Sequence, residues 1–211
     1  MKRKEIILGV IGIIVIVVVA FFVASIIHDY NNKIINKNES SKEKEEEKLE
    51  IDGKEVNFKT YRVDSSFFLN VPDIFVMLDE DTLKEKYNYN SRPELVFMSE
   101  DDLEHIFINT TDEDMTDDAL ETYLNGRIAT VSSMTLLDSG VYKKYNKTFA
   151  KLVVHDDKTY YNFRFFTLDN KLVIVEFNTS VDLYKDFEDV VNEIMDSICF
   201  NEEDIKKYSS G

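Results

Sequence analysis

The sequence is poor in the residues that most active-site chemistries need. It has one cysteine, three histidines, six glycines, two prolines and no tryptophan. A single cysteine permits no internal disulfide, so a folded domain must be held by its core alone. It also closes the lipoprotein route, which needs a cysteine directly after an apolar run, because the only one is Cys199. Cys199 sits in Ser197-Ile-Cys-Phe200, an apolar setting that points to burial and inertness. His28, His105 and His155 have no His or Cys three or four residues on, so zinc spacing is absent. The glycines form no Gly-x-Gly-x-x-Gly, P-loop or Gly-x-Ser-x-Gly pattern. These shortages nominate no catalytic, metal-ligating or cofactor-binding residue, and no cofactor.

Positive charge is scarce as well. Against 41 Asp and Glu stand 25 Lys and Arg, a net charge of −16. The charges of residues 1–50 cancel, so the whole excess lies in residues 51–211. That argues against nucleic-acid binding, which rests on neutralising phosphates, and against lying flat on anionic lipid. Its plainest role is solubility. The acidic run Asp112-Glu-Asp114-Met-Thr-Asp117-Asp118 fails as a calcium loop. With Asp112 at position 1, the glycine position holds Asp117 and the closing glutamate position holds Tyr123. It reads as a solvated helix start. Asp79-Glu-Asp81 and Asp101-Asp102 read as charged turns.

Apolar length is what the chain does have. Ile6–Ile27 is an uncharged run of 22 residues, enough at ~1.5 Å per residue to cross a hydrocarbon core of roughly 30 Å. It exceeds a secretory signal's apolar region of about 7–15 residues, and Phe21-Phe-Val23 between Ala20 and Ala24 is a poor cleavage context. The expectation is a retained single-pass anchor. Lys2, Arg3 and Lys4 place the N-terminus in the cytoplasm and residues 28–211 outside it. Only Met1–Glu5 then remains inside, too little for an output domain. Ala20-x-x-x-Ala24 is a small-xxx-small pair and a weak hint of homo-dimerisation. Residues 28–50, rich in Asn, Ser, Lys and Glu, read as a polar flexible tether. The abundance of Lys, Asn and Ile suggests an AT-rich Gram-positive genome.

Alternation then takes over. Leu49–Ile51 and Lys54–Val56 flank Asp52-Gly53, a two-residue hairpin signal. Phe67, Leu69 and Val71 alternate, as do Leu95 with Phe97 and Ile106 with Ile108. Leu120, Tyr123, Leu124, Ile128 and Val131 recur at helical spacing behind Asp117 and Asp118, giving a helix to about Ser132. Residues 135–178 read as a meander broken at Asn146-Lys147, Asp156-Asp157 and Asp169-Asn170, and breaks this short force antiparallel neighbours. A last helix is expected over Val181–Ser197, capped by Ser180, with a polar tail from Asn201. The fold class is α+β: an N-terminal transmembrane helix, then a single domain over residues 51–200 with an antiparallel sheet covered by helices.

The order of these elements resembles the PsbP-like family. The carrying residues are Tyr61-Arg-Val63 through Asn70-Val-Pro72, the helix Asp117–Val131, the meander through Tyr160-Tyr-Asn-Phe-Arg-Phe-Phe166, and a closing helix running into Asp196-Ser-Ile-Cys-Phe200. The resemblance spans roughly residues 55–200. Asp73 follows Pro72 where the family carries an aromatic, and Phe75 is the nearest. It implies an α/β/α sandwich and a binding or accessory role without catalysis; no functional residues carry over.

On the strand through Tyr160, one face holds Tyr161, Phe163 and Phe165 and reads as core. The other holds Tyr160, Asn162 and Arg164. It is either a partner-binding face or a half-covered sheet face beneath a helix. The function expected is a membrane-anchored extracytoplasmic module that engages a protein partner at the cell envelope. Two alternatives are an envelope hydrolase with a spatially assembled carboxylate pair, and a sensor domain acting through a membrane partner.

Overall fold

The computed structural model describes residues 49–51, 54–64, 66–87 and 92–209. The expected anchor Ile6–Ile27, all but the last residues of the tether and the hairpin signal Asp52-Gly53 lie outside the described residues. Among those described, no helix is long and apolar enough to cross a membrane.

Alternation in the sequence becomes an antiparallel sheet of seven strands. Its members are β5 (Phe75–Met77), β6 (Leu95–Ser99), β7 (His105–Asp114), β8 (Thr135–Lys144), β9 (Lys147–His155), β10 (Thr159–Leu168) and β11 (Lys171–Ser180), in the order β5-β6-β7-β11-β10-β9-β8. Two hairpins precede it: β1 (Glu50–Ile51) with β2 (Lys54–Glu55), and β3 (Phe58–Val63) with β4 (Phe67–Pro72). The meander turns close tightly because Tyr145-Asn146 and Asp169-Asn170 all take positive φ, between 49° and 61°. Two consecutive left-handed residues match the twist of the strands they join, and Asn and Asp tolerate that geometry best after glycine. At the third break the Asp156 carboxylate accepts from the Lys158 and Thr159 N–H groups, at 2.8 and 2.7 Å.

The pleat sorts the apolar residues into two cores. Ala150, Leu152, Val154, Phe163, Phe165 and Leu172 face α2 (Leu120–Thr130), which contributes Leu120 and Leu124. Phe149, Val153, Phe166, Val173, Val175 and Phe177 face the other way, against the β3–β4 hairpin and α3 (Glu188–Asp196). The sheet is therefore covered on both sides, by a helix on one and by a helix with a hairpin on the other. This is the expected α+β arrangement. The hairpin is tied to the chain beyond α3, where Phe68 and Cys199 exchange backbone hydrogen bonds of 2.7 and 3.2 Å.

Four local expectations change. The helix expected from Asp117 opens with a 3-10 turn over Asp117–Ala119, and α2 begins at Leu120. The Asp117 carboxylate is engaged by the Thr167 hydroxyl and the Thr148 N–H instead. The last long helix shortens to α3, and Ser180 does not cap it. Over residues 181–187 the backbone bonds run from residue i to i−3, as in Leu183 to Ser180 and Asp186 to Leu183, which is tighter than α. Asp79-Glu-Asp81 begins α1 (Glu80–Lys86), capped by Asp79 Oδ1 on the Thr82 N–H at 2.8 Å. The stretch from Asn201 contains α4 (Glu202–Ser209), where Asn201 Oδ1 accepts from the Asp204 N–H at 2.9 Å.

Phe165 is fully buried under α2, whereas Val76 on β5 is 54% exposed. Phe165→Ala should cost about 3–5 kcal/mol and Val76→Ala no more than roughly 0.5 kcal/mol, read as shifts of the urea midpoint at unchanged slope.

Candidate functional site

Tyr160, Asn162 and Arg164 lie side by side on β10 as the pleat requires, but they are buried, with Asn162 and Arg164 each 2% exposed. They present no open face to a partner. The cover is α3 and the turn before it. The Tyr184 ring stacks on Tyr160 with centroids 4.9 Å apart, and Asp196, the last residue of α3, brings its carboxylate to 3.7 Å from the Arg164 guanidinium. Asn162 Nδ2 donates to the Tyr160 hydroxyl at 3.1 Å, and Arg164 Nη1 donates to Asn162 Oδ1 at 2.6 Å and to the Phe163 carbonyl at 3.1 Å. Arg164 Nε is buried without an acceptor. α3 has no basic residue in its own last turn. Arg164 and Lys144, whose ammonium group donates to the Asp196 carbonyl, supply positive charge at that negative helix end from the sheet.

The open site lies elsewhere in the domain, beyond Thr179, which pairs with Tyr160 and donates to Glu104 in the pocket wall. Four segments far apart in sequence enclose a surface pocket of about 700 Å³: the β1–β2 hairpin, the turn after β4, the β6–β7 turn, and the stretch leading into α3. Ile51, Val56, Leu183 and Phe187 give it apolar walls. Six carboxylates line it, on Glu55, Asp73, Glu100, Asp101, Glu104 and Asp186, with no basic side chain among the described lining residues. Among the described residues no group of three or more His, Cys, Asp or Glu is placed to hold a metal ion.

Glu104 is the unusual member. It is 3% exposed, and burial pushes its carboxyl above the ordinary glutamate range. The Ser99 hydroxyl opposes that shift, the Asp101 charge adds to it, and the Thr179 hydroxyl, donating to Oε1 at 3.3 Å, opposes it again. Ser99 organises the turn. Its hydroxyl donates to Asp101 Oδ1 at 2.7 Å and accepts from the Glu104 N–H at 3.1 Å.

Large apolar side chains left exposed among the described residues fall into two patches. One is at β5, where Ile74 and Leu103 line the pocket and Val76 and Met77 belong to the strand; the other, Leu136, Leu137 and Val141, lies along β8. Of the pocket acids, the sequence singles out only Asp101, within the charged turn Asp101-Asp102. The one local signal was Leu103, an apolar residue inside the acidic turn Asp101-Asp-Leu-Glu104.

No family model matches the chain, and no curated protein matches it in sequence. Its structure is similar to that of cyanobacterial PsbP from Synechocystis, at 12% identity over 68% of this chain and 92% of that one, with a TM-score of 0.49. It is also similar to LpqN, involved in cell envelope biogenesis of Mycobacterium tuberculosis, at 12% identity over 72% and 94% of the two chains, again with a TM-score of 0.49. At this identity the likeness concerns fold alone, and activity is argued from this chain's own side chains.

Two predictions follow from the geometry. Arg164→Met removes a buried charge but strands the Asn162 and Phe163 acceptors, so it should destabilise by about 1–3 kcal/mol. Adding Asn162→Leu should recover much of that loss in a denaturation double-mutant cycle. Glu104 takes up its proton more readily in the folded chain than in the unfolded one. Stability is therefore fully present below the ordinary glutamate range and falls as pH rises through Glu104's raised value. Glu104→Gln should abolish that fall and unfold at higher urea at neutral pH, while differing least from the parent in acid.

Proposed function

We propose that this chain is a membrane-anchored, extracytoplasmic binding module that docks a protein partner at the acid-lined pocket beside β5. The observation that carries the reading is the pocket itself: about 700 Å³, apolar walls, six carboxylates, and the exposed apolar side chains Ile74 and Leu103 in its lining. Exposed apolar groups that cluster beside a concavity mark interaction sites more often than singly scattered ones. Partners are anchored by a few apolar contacts and selected by a complementary charged rim. The rim here is acidic, so the partner segment carries lysine or arginine beside an apolar anchor. Support for the location comes from Ile6–Ile27 and the basic cluster Lys2-Arg-Lys4.

Glu104 favours a second reading, the envelope hydrolase. A carboxyl whose pKa is raised by burial, beside the Asp101 carboxylate in the same pocket, has the form of a general acid with a charged neighbour.

Photo-crosslinking of the full chain in its own membranes separates the two. A photoreactive residue in place of Leu103 should give one discrete protein adduct. Ile74→Asp should reduce it by roughly tenfold, and high salt should weaken it. The same photoreactive residue in place of Glu121 on α2 should give none. Glu104→Gln should leave capture intact. No adduct at Leu103, or an equal one at Glu121, overturns the docking site; loss of a hydrolytic activity in Glu104→Gln would establish the second reading instead.

A further inference from the structure

We infer that β8 is a self-association edge, on which a second copy of this chain adds its own β8 antiparallel with Val141 against its counterpart. β8 is a terminal strand of the seven and spans ten residues. Its outer backbone groups have no partner strand among the described residues, and it carries the exposed side chains Leu136, Leu137 and Val141. Long edges of this kind are normally blunted or covered.

Symmetry restricts the register. A two-fold axis perpendicular to the sheet keeps each residue on its own face, and side chains alternate between faces, so opposed residues must be an even number apart. Asp138, Gly140, Tyr142 and Lys144 share one face, set by their partners Val153, Lys151, Phe149 and Lys147 on β9. β8 is irregular between Leu136 and Asp138, which leaves Asp138–Lys144 as its regular part. Centring the pair on Val141 opposes Asp138 to Lys144 of the copy, and Lys144 to Asp138 of the copy, giving two complementary pairs from one register. It also sets Tyr142 opposite Gly140 of the copy. A Cβ built at Gly140 would meet nothing within 4 Å, so open space lies directly beside that backbone. Asp138 already accepts from Lys151 at 2.5 Å and Lys144 donates to the Asp196 carbonyl. A carboxylate has further lone pairs and an ammonium further protons for the partner. The centre of the edge is thus apolar and its flanks carry opposite signs, so the strand complements itself despite the acidity of the whole chain.

The test is oxidative crosslinking of the full chain. Opposed Cα atoms across antiparallel strands lie about 4.5–5.5 Å apart, within disulfide range. Val141→Cys should crosslink rapidly. Lys143→Cys, four residues from its own counterpart in this register, should not, and neither should the parent chain, whose Cys199 is buried. Asp138→Lys and Lys144→Asp should each slow the Val141→Cys crosslink by roughly tenfold, and the double exchange should restore it. Circular dichroism checks that each variant is folded. Crosslinking at Lys143→Cys as fast as at Val141→Cys, no rescue by the double exchange, a Val141→Cys adduct with a different protein, or a monomer in sedimentation would each overturn the proposal.

Discussion

The structure depends on burying β10 on both faces. Phe163 and Phe165 need one cover, and Tyr160, Asn162, Arg164 and Phe166 need another. An antiparallel sheet with one wet face would leave the first set dry and the second solvated. Here the second set includes a guanidinium that is 2% exposed. A buried cation persists only where its surroundings supply acceptors and opposite charge. Asn162, the Phe163 carbonyl and Asp196 supply them. Because Asp196 ends α3, this one side chain ties the middle of the sheet to the helix that closes the domain. The same contact accounts for the position of the hairpin, since Ser197, next to Asp196, donates its hydroxyl to the Ile194 carbonyl and accepts from the Asn70 N–H at 2.8 Å.

That arrangement also decides where the open site lies. Cover is densest over β9, β10 and β11 and thins toward β5, a strand of only three residues. There the β1–β2 hairpin and three connecting segments surround a gap, and the pocket forms between them. Carboxylates are tolerated at such a mouth because most of them face water. Glu104 is the exception, and its perturbation by burial marks the boundary between mouth and interior.

How much of this could be read from the sequence follows from distance along the chain. The meander was legible because its signals are local: period-two alternation and Asn or Asp at the turns. The order of elements was legible for the same reason. α1 and α4 were missed because each is short and polar, and their caps, Asp79 and Asn201, look the same as turn residues without coordinates. The burial of Arg164 was not legible either. Nothing in Tyr160-Tyr-Asn-Phe-Arg states that a helix some thirty residues on will end with a carboxylate beside it. The pocket was the least legible feature, because its acids come from four segments and each has an adequate local explanation as a solvated turn.

The two edges of the sheet bring these strands of reasoning together. A sheet closed above and below can interact only at its rims and its loops. β5 is short, and the pocket near it joins Ile74 and Leu103 to carboxylates of one charge, a surface suited to a partner of the opposite charge and unsuited to another copy of itself. β8 is long, and Asp138 and Lys144 lie on one face at either side of Val141, a surface that complements its own image. One edge excludes self-pairing by its charge and the other permits it by its symmetry. The two proposed surfaces do not compete, because five strands lie between β5 and β8 in the sheet.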